Sequence, residues 1–197
     1  MIVKTSLAFV LVALAVAPLA AKPFHHPYGE WREYNHDWLA ACPDAINEDA
    51  PDYSGFSCFA STGSTALNST GLPAWKLTLV HNRLTGVVDI AFTAAHDEAE
   101  VDTTRPLLVA FGGGGVSLSF DFAADLETRH NTINQWFIVD PAARKTLIET
   151  MKSRNAVTLT VPLSAGDEAT LDVRLSLRGV TASLDFMSSY ARKVAQY

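Results

Sequence analysis

The sequence predicts a mostly β, single-domain protein: an antiparallel β-sandwich or roll with two short helices, one of them at the C-terminus. Three observations carry that expectation. Leu171, Val173, Leu175 and Leu177 alternate with Thr170, Asp172, Arg174, Ser176 and Arg178, the period of two of a strand with one buried and one wet face. At Gly179 the period changes, and Val180, Leu184, Met187, Ala191 and Val194 then recur at helical spacing. Upstream, Val157, Leu159, Val161 and Leu163 alternate in the same way, and Ser164 to Glu168 turns the chain into the strand first described.

The chain opens with Lys4 and an apolar run from Leu7 to Ala17, the layout of a secretory leader. The run is too short for a membrane span, which needs about 20 residues. Pro18 disfavours a cut after Ala17, so cleavage is expected after Ala21, with residues 1–21 as leader and 22–197 as one β-rich domain. No cysteine follows the apolar run closely, which argues against a lipid anchor. Of 197 residues, 176 then remain, and loss of Lys4 takes the net charge from −6 to −7. An acidic surface argues against nucleic acid, which calls for a basic face. No stable membrane insertion is expected after cleavage, and the protein is placed in the periplasm or outside the cell.

Cys42 and Cys58 are the only cysteines, and both lie in the exported part. In an oxidising compartment an even pair is most simply one disulfide, closing a loop of about 16 residues. The alternatives are a metal site or a redox dithiol, and the absence of Cys-x-x-Cys weakens the second.

In chain order, Lys22 to Tyr28 reads as an ordered start or a loose arm, and DWLAAC as a strand running into the bridge. Pro43 to Gly55 is a solvated acidic loop that misses the calcium-loop spacing. SCFA (Ser57 to Ala60) reads as a strand and Ser61 to Gly71 as a loop. WKLTLVH and VVDIAF make a hairpin, and PLLVAF and VSLSFDF a second one across Gly112 to Gly115. Those glycines lack the Gly-Lys-Ser/Thr ending and the following helix of a phosphate loop. WFIV is a further strand, and Asp140-Pro141 starts a helix, Asp as N-cap and Pro as first helical residue.

No motif singles out a catalytic site, a metal or a cofactor. The six histidines form no zinc spacing, and the serines no Gly-x-Ser-x-Gly elbow. His25, His26 and His36 could converge with Asp37 near the amino end, which would make a metal or small-ligand module the alternative function. The aromatic residues are the stronger lead. Core packing is the default for strand aromatics, but Trp31, Tyr34 and Trp38 are the candidate partner-binding set.

The order of these pieces resembles a known family. Trp38 stands four residues before Cys42, a second cysteine follows at Cys58, a short helix from Pro141 to Ser153 precedes VTLTV, and the chain closes with LSLRGVTASLDFM. This is similar to the invasion-associated locus B family of exported bacterial proteins, over about Gly29 to Met187. An uncharacterised periplasmic family with a similar Trp-x-x-x-Cys start is the near rival. The resemblance implies a mostly β fold, export, and a role in host-cell invasion or envelope maintenance, without a catalytic site. One departure stands out: the family's further cysteine pair is missing from Asn131 to Val139. The expected function is therefore that of a non-enzymatic envelope or secreted protein that binds an unknown protein partner.

Overall fold

The computed structural model describes residues 22–47, 49–50, 55–95, 100–112, 117–129, 134–165 and 169–194, so the expected leader lies outside the described residues. Strand β1 (Phe24–His26) turns through Gly29 onto β2 (Glu30–Asn35), and the His36–Asp37 turn leads into β3 (Trp38–Pro43). Part of the stretch read as a start or arm is thus a paired strand, and the aromatic segment before Cys42 is two strands. β4 (Ser57–Gly63), β5 (Trp75–Asn82) and β6 (Val88–Ala94) follow as an antiparallel meander. β4 outruns its predicted end because Ser61, Thr62 and Gly63 pair with Thr78, Leu77 and Lys76.

β7 (Leu107–Phe111) and β8 (Ser117–Phe120) form the predicted hairpin, and the glycines at 113–115 lie outside the described residues. β9 (Leu126–Glu127), two residues long and not foreseen, pairs with β10 (Gln135–Ile138). Helix α1 (Pro141–Lys152) starts where Asp140-Pro141 places it. The Asp140 carboxylate accepts from the amides of Ala142 and Ala143 at 3.1 and 3.0 Å, satisfying two of the orphan donors of the first turn. β11 (Ala156–Pro162), β12 (Thr170–Ser176) and α2 (Val180–Val194) end the chain.

The strands build two antiparallel sheets, one ordered β1-β2-β3-β4-β5-β6-β10-β9 and one ordered β12-β11-β7-β8. Their inner faces supply Trp38, Leu77, Leu79, Ile90, Val109, Leu159 and Leu175 to one core, and α2 adds Val180, Leu184 and Met187. The alternation read in β12 holds, with Val173, Leu175 and Leu177 buried and Asp172, Arg174 and Arg178 exposed. Trp75 and Trp136 are core residues too.

Cys42 and Cys58 are bonded between β3 and β4, with both side chains buried. Reduction should lower stability by about 2 to 4 kcal/mol through the freed unfolded chain. Urea melts with and without reductant measure this, and equal midpoints would overturn it.

One corner ties the two ends of the chain together. Trp38 Nε1 donates to the Ser176 carbonyl at 3.0 Å, and Ser176 Oγ donates to Asp37 Oδ2 at 2.6 Å. The Asp37 amide donates to the Arg178 carbonyl at 3.3 Å, and Asn35 Nδ2 to Ser183 Oγ at 3.3 Å. At the centre stands Gly179, with φ at +104°, where an added Cβ would lie 1.8 Å from the Asn35 carbonyl oxygen. Only a residue without a side chain lets β2 approach so closely.

A candidate protein-binding surface

The β1–β2 hairpin lies at the edge of the large sheet and carries aromatic rings on both faces. On the outer face Phe24 stacks on Tyr34, with ring centroids 5.9 Å apart and planes 15° from parallel. His26 meets Tyr28 edge-on at 4.5 Å, and the Arg32 guanidinium sits 5.8 Å from the Tyr28 ring centre. Arg32 is held there by Glu30, whose Oε1 accepts from its Nε at 2.6 Å. These rings remain largely open to solvent: Tyr28 is 82% exposed, Tyr34 54% and Phe24 39%. A fixed cluster of Tyr, Phe and Arg is the composition of a binding hot spot, because such rings cover much area at little entropic cost.

The opposite face, where Trp31 is 36% exposed, turns toward α2. Trp31 lies 5.4 Å from His25 and 5.7 Å from Tyr190 of α2, which in turn packs on Phe186. Its neighbour Glu33 has its carboxyl pushed above the usual range by burial, partly offset by a hydrogen bond from Asn35. Burial, with the Glu33 charge, also raises Tyr190. His25 Nε2 lies 2.6 Å from Asp44 Oδ2 and pins β1 to the residue after β3.

The three aromatic residues singled out from the sequence therefore do not form one surface. Tyr34 belongs to the exposed face, and Trp31 to the side turned toward α2. Trp38 is corrected outright: it is 1% exposed, packed between the sheets with its indole N–H on Ser176. The strand's alternation turns Trp38 inward with Ala40 and Cys42. Phe24 was missed because a three-residue strand leaves no periodic signal, and Arg32 because β2 is polar or aromatic on both sides.

The histidines do not converge either. His25 and His26 pair with the Glu30 end of β2 and His36 follows its Asn35 end, so they stand a strand's length apart. His25 meets Asp44 rather than Asp37. Among the described residues no three His, Cys, Asp or Glu side chains gather as a metal site. Beside Tyr34 runs a groove of about 270 Å³, lined by His36, Asp37, Leu39, Pro73 and Lys76 among others.

Two antiparallel sheets closed by a C-terminal helix, with an aromatic edge hairpin, define a β-sandwich class of fold. The chain resembles the crystal structure of invasion associated protein B from Bartonella henselae, with a TM-score of 0.58 and 15% sequence identity, over 82% of this chain and 98% of that one. That likeness is one of fold. No family model matches the sequence, and no curated protein matches it. No described helix is long and apolar enough to cross a membrane.

Proposed function

We propose that this chain is a non-enzymatic exported protein, periplasmic or secreted, that binds another protein through the outer face of the β1–β2 hairpin. The observation that carries the reading is the packed set of exposed rings Phe24, Tyr28 and Tyr34, with the half-buried Arg32 against Tyr28. A buried disulfide suits an oxidising compartment, and the leader read from the sequence suits export. The fold shared with invasion associated protein B favours a role associated with invasion, and the sequence resemblance adds envelope maintenance as the alternative. The groove beside Tyr34 supports a second reading, a module that binds a small polar ligand between His36, Asp37 and Lys76.

A photo-crosslinking residue placed at Tyr34 should give a discrete adduct in cells, while one at the exposed Ser119 on the other sheet should give none. The Tyr28→Ser/Tyr34→Ser variant, with the crosslinker moved to Phe24, should lose that adduct by about tenfold and keep its melting temperature. Equal adducts at Tyr34 and Ser119, or an adduct untouched by the double change, would sink the reading.

A further inference from the structure

We propose that the hollow at the C-terminal end of α1 binds a tetrahedral oxyanion ester, a phosphate or sulfate group carried on a small hydroxylated body. Most described arginines are engaged. Arg32, Arg105, Arg129 and Arg144 each face a carboxylate, on Glu30, Asp102, Asp89 and Asp89 respectively. Arg83 gives Nη1 to the Pro43 carbonyl at 2.7 Å and lies in the field of Asp44, while its buried Nε and Nη2 have no hydrogen-bond partner among the described residues. Arg154, Arg174 and Arg178 have no carboxylate partner among the described residues. Two of these three, Arg154 and Arg174, line the same hollow of about 330 Å³, together with Gly112, Ser153, Asn155 and Thr158.

The topology brings them there. Arg174 stands on the wet face of β12 directly across from Thr158 of β11, which lies across from Ala110 of β7. Arg154 closes the hollow from the turn between α1 and β11, with Nη1 3.4 Å from the Gly112 carbonyl. Two guanidinium groups of like charge repel one another, so a shared anion gains from both. Each also offers a planar fork of donors that matches two oxygens of a phosphate or sulfate.

The end of a helix repels anions through its free carbonyls, but here two of those of the last turn are occupied. Thr150 O accepts from the Ser153 amide at 3.0 Å and its hydroxyl at 2.9 Å, and Met151 O from the Arg154 amide at 3.3 Å. The one acid nearby on β12, Asp172, lies two register pairs further on, with Thr160 Oγ1 donating to it at 2.6 Å. The hollow is larger than an inorganic oxyanion and lies at the lower end of the range for small-ligand sites, about 300 to 1,000 Å³. Asn155, Ser153 and Thr158 present an amide and two hydroxyls beside the arginines, groups suited to the hydroxyls of a sugar.

The test is calorimetric titration of the full exported chain with glucose 6-phosphate, glucose 6-sulfate, inorganic phosphate and glucose. Both esters should bind saturably at one site per chain, about tenfold tighter than inorganic phosphate, and glucose should give no heat. Arg154→Ala/Arg174→Ala should weaken the esters at least about tenfold with the melting temperature unchanged, while Lys145→Ala, on the exposed side of α1, should bind like the parent. Phosphatidylcholine vesicles with and without phosphatidic acid separate the sources: arginine-dependent capture points to a lipid-borne ester, and soluble binding alone to a free one. No ester binding, or binding that survives loss of both arginines, overturns the proposal. Inorganic phosphate binding as tightly as the esters overturns the role given to the hydroxylated body. None of these residues belongs to the aromatic face, so either reading stands or falls without the other.

Discussion

Gly179→Ala is expected to destabilise the protein by about 3 to 5 kcal/mol or to prevent folding, although it adds a single methyl group. Two costs add. The residue holds φ at +104°, where a side chain is strained, and the new Cβ would meet the Asn35 carbonyl oxygen at 1.8 Å. Backbone stands on both sides of that contact, so relief requires moving the β2–β3 turn off the start of α2. Doing so would pull on the Trp38–Ser176 and Asn35–Ser183 hydrogen bonds at the same corner. Gly86 provides the control, since it also has positive φ, +74°, but nothing lies within 4 Å of an added Cβ. Gly86→Ala should cost only about 1 kcal/mol, the conformational part alone. Urea melts of the two variants decide the matter, and equal losses would show that the close approach to Asn35 is not what Gly179 serves.

Leu175→Asp should have an effect of similar size by a different route. Leu175 is 0% exposed, within the core cluster shared by both sheets, and a carboxylate there finds no partner. Loss of packing and burial of an unpaired polar group together should exceed about 4 kcal/mol. Arg174→Asp, one residue away on the wet face, should cost under about 1 kcal/mol. Thermal midpoints report both. A Leu175→Asp protein that melts like the parent, beside an Arg174→Asp protein that does not fold, would place β12 one residue out of register.

The elements legible in the sequence were those whose two faces meet different solvents. β11 and β12 alternate because one side is core and the other water, and α2 carries a stripe because only one side packs. α1 announced itself by chemistry, an Asp cap before Pro. β3 was harder to orient: Ala40 and Ala41 are both 0% exposed, so neither parity identifies the inner face, and Trp38 passed for a surface ring. β2 hid for the opposite reason, since its residues, Glu-Trp-Arg-Glu-Tyr-Asn, are polar or aromatic on both sides. The arginine hollow joins the residue after β7, the end of α1 and β12, spread over the 62 positions from Gly112 to Arg174, and no spacing rule reaches that far. The histidine pairing failed likewise, because the partner of His25 was set by where β3 ends.

The corner around Gly179 also bears on the order of folding. Asn35 and Ser183 are 148 positions apart, and Trp38 and Ser176 are 138 apart, yet each pair shares a hydrogen bond. Contacts of that span bring in loop-closure entropy before any packing compensates for it, which slows folding. The first hairpins can form early, but the inner face of β2, β3 and β4 stays uncovered until α2 arrives from the far end of the chain. Without α2 the large sheet therefore remains open on that side. Completion of the fold waits on contacts that span 138 to 148 positions of sequence.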